Sequence, residues 1–165
     1  MNNSVSEFGI IGRVKKCDFP LIGANNVPCK VDTGADLSSI WASDIKISSG
    51  VLSCRFFGKG SPFYDRKIHK FSNNSYTLTR VSSSFGEKEL RYKVKLKIRI
   101  DNRLINATFT LADRGNKLYP VLLGRRLLRN KFVVDVAQGT PLKEAEKLRK
   151  QKLKSDLRKL KGASS

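Results

Sequence analysis

The sequence predicts a mainly β protein, a compact barrel or sandwich with one short internal helix and a basic helix towards its C-terminal end. Apolar and charged residues alternate strictly from Tyr92 to Ile100, and other short β-type runs are separated by turn residues. No second helical layer is indicated before Gly139. A chain of 165 residues fits one such domain and leaves no room for two full-sized cores.

The predicted elements are built around the alternating run. Between Tyr92 and Ile100 the apolar side chains share one face of a half-buried strand, and the cations share the other. Asp101 and Asn102 form a turn, and residues 104–111 return beside the first strand as a hairpin. Further strands are predicted at residues 8–14, 27–32, 51–57, 76–81 and 132–136, and the short helix at residues 125–129.

The chain is strongly basic, because 33 Lys and Arg oppose 14 Asp and Glu and give a net charge of +19. Residues 141–165 carry nine of these cations and three acids, which leaves +13 on residues 1–140. Such a charge favours polyanions, and Lys93, Lys95 and Lys97 on the polar face of the alternating strand are the candidate polyanion-binding residues. A nucleic acid, the ribosome or an acidic protein would suit this lysine row.

Residues 137–165 are predicted to form a basic helical extension to a domain of residues 1–136. Thr140 is a good N-cap, Pro141 suits the first helical position, and Gly162 ends the helical pattern. Two interpretations remain open: a solvated basic extension, or a helix suited to weak docking or to an acidic partner.

Two cell-biological features are expected from the sequence. No apolar run approaches the roughly 18 residues that span a bilayer, and the first residues lack the pattern of a secretory leader. We therefore expect a soluble, cytoplasmic protein without a membrane partner. Three cysteines, Cys17, Cys29 and Cys54, are expected to stay reduced in that compartment.

No cofactor or metal site is indicated by the sequence. His69 is the single histidine, and neither a Cys-x-x-Cys nor a His-Glu-x-x-His pattern occurs. His69 is therefore expected to be an exposed residue of a basic loop. No Gly-rich phosphate-binding motif ending in Gly-Lys-Ser/Thr occurs either, so ATP binding has no support. Trp41 is expected in the core or in the wall of a cleft.

The segment Asp32-Thr33-Gly34-Ala35 ends a β-type run abruptly. In such a loop the Asp leaves the strand end, the Thr hydroxyl can brace the loop, and the Gly allows another backbone to approach closely. Taken alone, the segment also fits an ordinary turn after a strand. A second segment, Tyr-Pro-Val-Leu-Leu-Gly-Arg-Arg at residues 119–126, follows about ninety residues downstream.

Together the two segments resemble a retropepsin, a family with an Asp-Thr-Gly-Ala catalytic loop and a later apolar-apolar-Gly-Arg segment before a short helix. More closely, the chain resembles the bacterial retropepsin-like family labelled ATP-dependent zinc protease. Some members of that family are associated with enzymes that add glutamate tails to ribosomal protein. The resemblance covers residues 8–136 and includes the turn at 82–87 and residues 132–135. It implies a closed β-barrel and aspartic endopeptidase activity.

The resemblance also assigns roles to individual residues. It makes Asp32 the catalytic aspartate, Thr33 the residue that braces the two active-site loops, and Gly34 a backbone contact to substrate. Ala35 completes the loop, and Ala35 and Asp36 are assigned to substrate binding.

Two further assignments follow from the same resemblance. Asp36 is expected to form a structural ion pair with Arg125, although two separately solvated charges would be the ordinary alternative. The hairpin of residues 76–100 is expected to cover a substrate cleft, with Ser83, Ser84 and Gly86 at its tip contacting substrate. A plain surface hairpin is the alternative.

Aspartic endopeptidase chemistry requires two carboxylates that share a proton. The chain has one Asp-Thr-Gly, so the resemblance implies a symmetric homodimer that brings together Asp32 from each copy. The expected substrate is a peptide or protein, and the basic charge favours acidic or glutamate-rich chains. The alternative hypothesis is a non-catalytic binding module on the same fold that holds RNA, the ribosome or an acidic protein.

Overall fold

A computed structural model describes residues 8–83, 85–140 and 142–162. Its strands are β1 (Gly9–Ile11), β2 (Val14–Phe19), β3 (Ala24–Val31), β4 (Ser38–Ser48), β5 (Val51–Phe56), β6 (His69–Phe71), β7 (Tyr76–Ser82), β8 (Lys88–Ile100), β9 (Arg103–Ala112), β10 (Val121–Leu123) and β11 (Phe132–Val134). Its helices are α1 (Arg125–Leu128) and α2 (Lys143–Gly162). No helix in these ranges is long and apolar enough to cross a membrane.

Six strands close into a barrel. Their order is β10, β3, β2, β8, β9, β4, and the ring closes because β10 also pairs with β4. Strand β7 adds to β8 as a hairpin, β5 and β6 extend outward from β4, and β1 pairs with β11 in a separate parallel sheet. The prediction of a mainly β closed barrel with one short helix and a basic C-terminal helix is confirmed.

The barrel core is built from alternating strand residues. On β8, Val94, Leu96, Ile98 and Ile100 are buried, while Lys95, Lys97 and Arg99 are exposed. Each fully buried aliphatic side chain contributes about 1.5–3 kcal/mol by leaving water. The rings of Phe19 and Phe109 meet edge to face in the same core, with centroids 5.7 Å apart. The predicted hairpin of the alternating run with residues 104–111 is therefore confirmed as β8 and β9.

Several predicted elements differ in their extent. The single strand predicted at residues 8–14 is divided into β1 and β2 at Gly12, where an added Cβ would lie 2.7 Å from the backbone of Gln138. The strand β4 has no counterpart among the predicted strands. Its pairing with β5 shifts between Ser43 and Lys46, and Asp44 there has a φ of 51°, so a bulge interrupts the apolar pattern.

The expectation that His69 lies in an exposed loop is wrong. His69 belongs to β6, and its ring packs edge to face on Phe56 at a centroid distance of 4.9 Å. Its Nε2 is buried and has no hydrogen-bond partner among the described residues. Burial lowers the pKa of His69, while the nearby Asp65 carboxylate opposes that shift.

Trp41 lies where the prediction placed it. The indole is half-buried against the barrel core and forms part of the wall of a surface cavity of about 650 Å³. Ideal Cβ atoms built at Gly58 and Gly115 would lie 2.6 and 3.1 Å from its Cζ2, so both glycines let the chain pass close to the indole.

Candidate active site

The segment 32–36 forms a loop directly after β3, and its own hydrogen bonds define the loop shape. The Asp32 amide donates to the carbonyl oxygen of Leu123 at 2.9 Å. One carboxylate oxygen of Asp32 accepts a hydrogen bond from the Gly34 amide at 3.1 Å, and the Ala35 amide donates to the Asp32 carbonyl oxygen at 3.3 Å. Asp32 is half-buried, and Thr33 and Gly34 are exposed. The loop therefore presents an oriented carboxylate at the surface.

The second sequence segment lies against this loop. Strand β10 is inserted between β3 and β4, parallel to the first and antiparallel to the second. Just beyond it, the Gly124 amide donates to the Ser38 Oγ at 3.0 Å, and the Arg125 amide donates to the Ala35 carbonyl oxygen at 2.8 Å. An added Cβ at Gly124 would lie 2.5 Å from the carbonyl carbon and oxygen of Leu37. Only glycine lets α1 begin this close to the loop.

Asp36 faces two arginines of α1. Its Oδ1 lies 3.8 Å from Arg125 Nη2, and its Oδ2 lies 2.9 Å from Arg126 Nη2. Arg125 is thus the more distant of the two, and the sequence analysis missed Arg126. All three side chains are more than half exposed, so pairs of this kind contribute about 0–1 kcal/mol each. The backbone hydrogen bonds hold α1 and the loop together more firmly than these charges.

The β7–β8 hairpin ends in a tight, exposed tip. The Ser83 amide donates to the Glu87 carbonyl oxygen at 2.8 Å, and the Gly86 amide donates to the Ser83 carbonyl oxygen at 3.0 Å. Gly86 has a φ of +80°, which favours glycine, and Phe85 is 95% exposed. Ser84, the remaining tip residue assigned to substrate contact, lies outside the described residues.

Arg114 adds a cation near Asp32 that the sequence analysis missed. Its Nε donates to the Tyr119 carbonyl oxygen at 3.0 Å, which fixes the guanidinium in the loop before β10. Burial lowers the pKa of Arg114, the neighbouring Arg91 lowers it further, and the Asp32 carboxylate opposes both. Arg91 also lines the 650 Å³ cavity beside Trp41. No sequence motif marks Arg114, because its proximity to Asp32 depends on tertiary structure.

Two lysines of the row lie beside the end of the Asp32 loop. Lys93 and Lys95 line a cavity of about 680 Å³ together with Leu37, the residue after Asp36, and with Arg126. Lys97 lies further along the exposed face of β8. Across the strand pair, the residues opposite the row are uncharged: Thr110, Thr108 and Asn106. This side of the Asp32 loop is therefore lined by cations.

The cysteines are buried thiols. Burial raises the pKa of Cys54 to about 12 and also raises that of Cys29, with an additional contribution from Cys17. Thiols in such surroundings are poor nucleophiles and poor metal ligands. In the described ranges, no three His, Cys, Asp or Glu side chains form a group that could hold a metal ion.

Comparison with known proteins identifies the family of the chain. Residues 10–142 match the RimB-like family, described as the retropepsin-like aspartic endopeptidase RimB. The chain belongs to this family. The match includes the Asp32 loop, the β7–β8 hairpin and the Gly-Arg segment, and it ends at residue 142, directly before α2. The resemblance identified from the sequence is confirmed.

Two relatives of the chain are named as ligases, whereas the family description names an endopeptidase. It is 30% identical over 154 residues to a probable alpha-L-glutamate ligase of Shewanella pealeana, covering 87% of this chain and 32% of that protein. A protein of the same name from Desulfotalea psychrophila is 26% identical over 148 residues, covering 84% of this chain and 30% of that protein. The chain thus spans about a third of the length of these relatives.

A solved structure shares the fold. The crystal structure of Lpg0085, a protein of unknown function from Legionella pneumophila, matches with a TM-score of 0.58 and 26% sequence identity. The match covers 80% of this chain and 96% of that chain.

Proposed function

We propose that this RimB-like chain is an aspartic endopeptidase whose active form is a symmetric homodimer. The observation that carries the proposal is the Asp32 loop, which presents one oriented carboxylate at the surface and is fixed to β10 and α1 by backbone hydrogen bonds. A second copy, related by a two-fold axis, would supply the second carboxylate.

The proposed chemistry follows from two carboxylates held close together. Like charges at that distance cannot both ionise, so the pair shares one proton. The ionised member takes a proton from water as the water oxygen bonds to the peptide carbonyl carbon, and the protonated member donates its proton to the carbonyl oxygen. When the carbon–nitrogen bond then breaks, the protonated carboxyl gives its proton to the leaving amine, and the ionised carboxylate takes a hydroxyl proton from the tetrahedral diol. The new carboxylic acid leaves, and the pair again holds one proton.

The surface beside the catalytic loop supports the proposed dimer. Ile10 and Val133 are neighbours in register on the β1–β11 sheet and are 61% and 55% exposed. A groove of about 840 Å³ lies between that sheet and the loop, and its lining includes Thr33 and Phe132. Contiguous exposed apolar surface marks candidate protein interfaces. A second copy seated here would lie next to both Asp32 loops.

The substrate we propose is an extended acidic or glutamate-rich peptide. The β7–β8 hairpin would cover the cleft and add a strand to the bound peptide. Arg114 near Asp32, and the lysine row beside Leu37, would favour acidic side chains on either side of the scissile bond. The named activity of the Shewanella relative also concerns glutamate.

The second candidate function is a non-catalytic binding module, and the net charge of +19 favours it. The two functions differ in what they require of Asp32, because polyanion binding needs cations and peptide hydrolysis needs the carboxylate.

Cleavage of matched peptides separates the two functions. A Glu-rich peptide and its Gln-rich counterpart are incubated with wild type, with Asp32→Asn and with the triple variant Lys93→Gln, Lys95→Gln and Lys97→Gln, and products are identified by mass spectrometry. We expect wild type to cleave the Glu-rich peptide faster, Asp32→Asn to cleave neither, and the triple variant to lose much of the preference. Cleavage by Asp32→Asn at the wild-type rate would contradict the proposal, and polyanion binding without cleavage by any form would favour the binding module.

A further inference from the structure

The helix α2 lies beyond the family match and carries an ordered row of cations. Six of its nine basic residues are separated by three or four positions, and at 3.6 residues per turn they fall within an arc of about 80°. We call this set the α2 stripe: Lys143, Lys147, Lys150, Lys154, Arg158 and Lys161. The first four members line one groove of the structure together, with Glu146 and Gln151 at its sides.

The α2 stripe is open to a partner. Lys143 and every residue from Glu146 to Gly162 are exposed, so the helix is not packed into the barrel along its length. Its beginning is attached: the Leu142 amide donates to the Tyr119 hydroxyl at 3.2 Å, and Arg149 shares a small cavity with Arg13 on the barrel. The rest of the helix projects its cations into solvent from a fixed base.

Charge repulsion within the α2 stripe destabilises the helix when no partner is bound. Like charges at i, i+3 and i, i+4 destabilise helices, and the stripe consists of five such successive pairs. A linear polyanion would relieve this repulsion along the whole stripe. From Lys143 to Lys161 the stripe extends about 27 Å, and each nucleic-acid strand carries one phosphate charge per roughly 3.4 Å of helix axis.

We propose that the α2 stripe binds the sugar–phosphate backbone of nucleic acid, independently of base sequence. A membrane surface fits the helix less well, because residues 141–165 contain no aromatic side chain and the exposed apolar row is limited to a few leucines such as Leu153 and Leu157. A flexible acidic peptide fits less well than a stiff phosphate array, because ordering it along 27 Å costs conformational entropy. This site is separate from the Asp32 loop.

The test compares two double variants of the full chain that remove the same charge. Lys150→Gln with Lys154→Gln changes the stripe, whereas Lys152→Gln with Lys159→Gln changes cations outside it. Gln is a good helix former, and all four side chains are exposed, so both variants should keep the fold. Binding to a labelled RNA duplex of arbitrary sequence is measured by fluorescence anisotropy across salt concentrations.

We expect the stripe variant to reduce the slope of log K against log salt by about 2 and to weaken binding about 10- to 100-fold near 0.1 M salt. The off-stripe variant should stay close to wild type. Equal losses of duplex affinity in the two variants would overturn the proposal, since the net charge of the protein would then explain the binding without any role for the stripe. Tighter binding to phosphatidylserine vesicles, or displacement of the duplex by polyglutamate at equal charge concentration, would also overturn it.

Discussion

Replacing Gly124 with Ala should destabilise the barrel and displace the Asp32 loop. The backbone at Gly124 has a φ of −89° and a ψ of 173°, which Ala adopts without strain, so the cost is steric. The new Cβ would lie 2.5 Å from the carbonyl carbon and oxygen of Leu37 and 3.0 Å from the Ala35 oxygen. These are backbone atoms, so the loop itself has to move. Overpacking of this kind costs about 2–3 kcal/mol, which lowers Tm by about 4–12 °C for a domain of this size.

Thermal unfolding and hydrogen exchange together test this prediction. Exchange of the Arg125 amide should accelerate, because its 2.8 Å hydrogen bond to Ala35 depends on the close approach at Gly124. Gly162→Ala is the matched control, since nothing lies within 4 Å of the Cβ it would add. An unchanged Tm with unchanged exchange in Gly124→Ala would show that the described contact between α1 and the loop is wrong.

Three further predictions concern single side chains. Because burial raises the pKa of Cys54 to about 12, iodoacetamide at pH 8 should label it only after unfolding, and labelling of the native protein at the rate of a free thiol would contradict its placement. Burial lowers the pKa of His69 below its usual 6.5. Protonation of the ring therefore destabilises the folded state: the full stability is present above pH 6.5 and is lost as the pH falls through the lowered pKa of His69. The urea midpoint should therefore fall less between pH 7 and 5 in His69→Phe than in wild type, and an equal fall would refute this. Asp36→Asn should lower the free energy of unfolding, measured in urea, by less than about 1 kcal/mol, because both ion pairs of Asp36 are exposed. A decrease above about 2 kcal/mol would contradict this and show a larger structural role.

The sequence predicted the parts of the fold that follow from local patterning. Strict alternation in β8 reflects one buried and one solvated face, so its position and its hairpin with β9 were accessible from periodicity. The strand β4 was not accessible from periodicity, because a bulge near Asp44 interrupts the two-residue alternation of apolar and polar side chains. The prediction for His69 was wrong because it followed from the charged residues next to His69 in sequence. The burial of His69 against Phe56 arises from the pairing of β6 with β5, which local sequence does not show.

The candidate site divides in a similar way. The Asp32 loop and the Gly124-Arg125 segment were recognisable because each needs particular residues in a fixed local order. Arg126 is a neighbour of Arg125 in sequence, and only the orientation of α1 shows that it lies nearer to Asp36. Arg114 carries no motif, and it reaches the neighbourhood of Asp32 only because the loop before β10 is fixed through Tyr119.

Subunit mixing tests most directly the claim that two copies of Asp32 form one catalytic centre. Wild type is held at a concentration where it sediments as a dimer, and Asp32→Asn subunits are added before peptide cleavage is measured. Asp156→Asn on the exposed helix α2 serves as the control, since it makes the same chemical change away from the loop. With free exchange, an equal amount of Asp32→Asn should reduce cleavage to about half, because half of the wild-type subunits then have an inactive partner. A larger excess should abolish cleavage, whereas cleavage that stays constant as Asp32→Asn is added would contradict a shared centre.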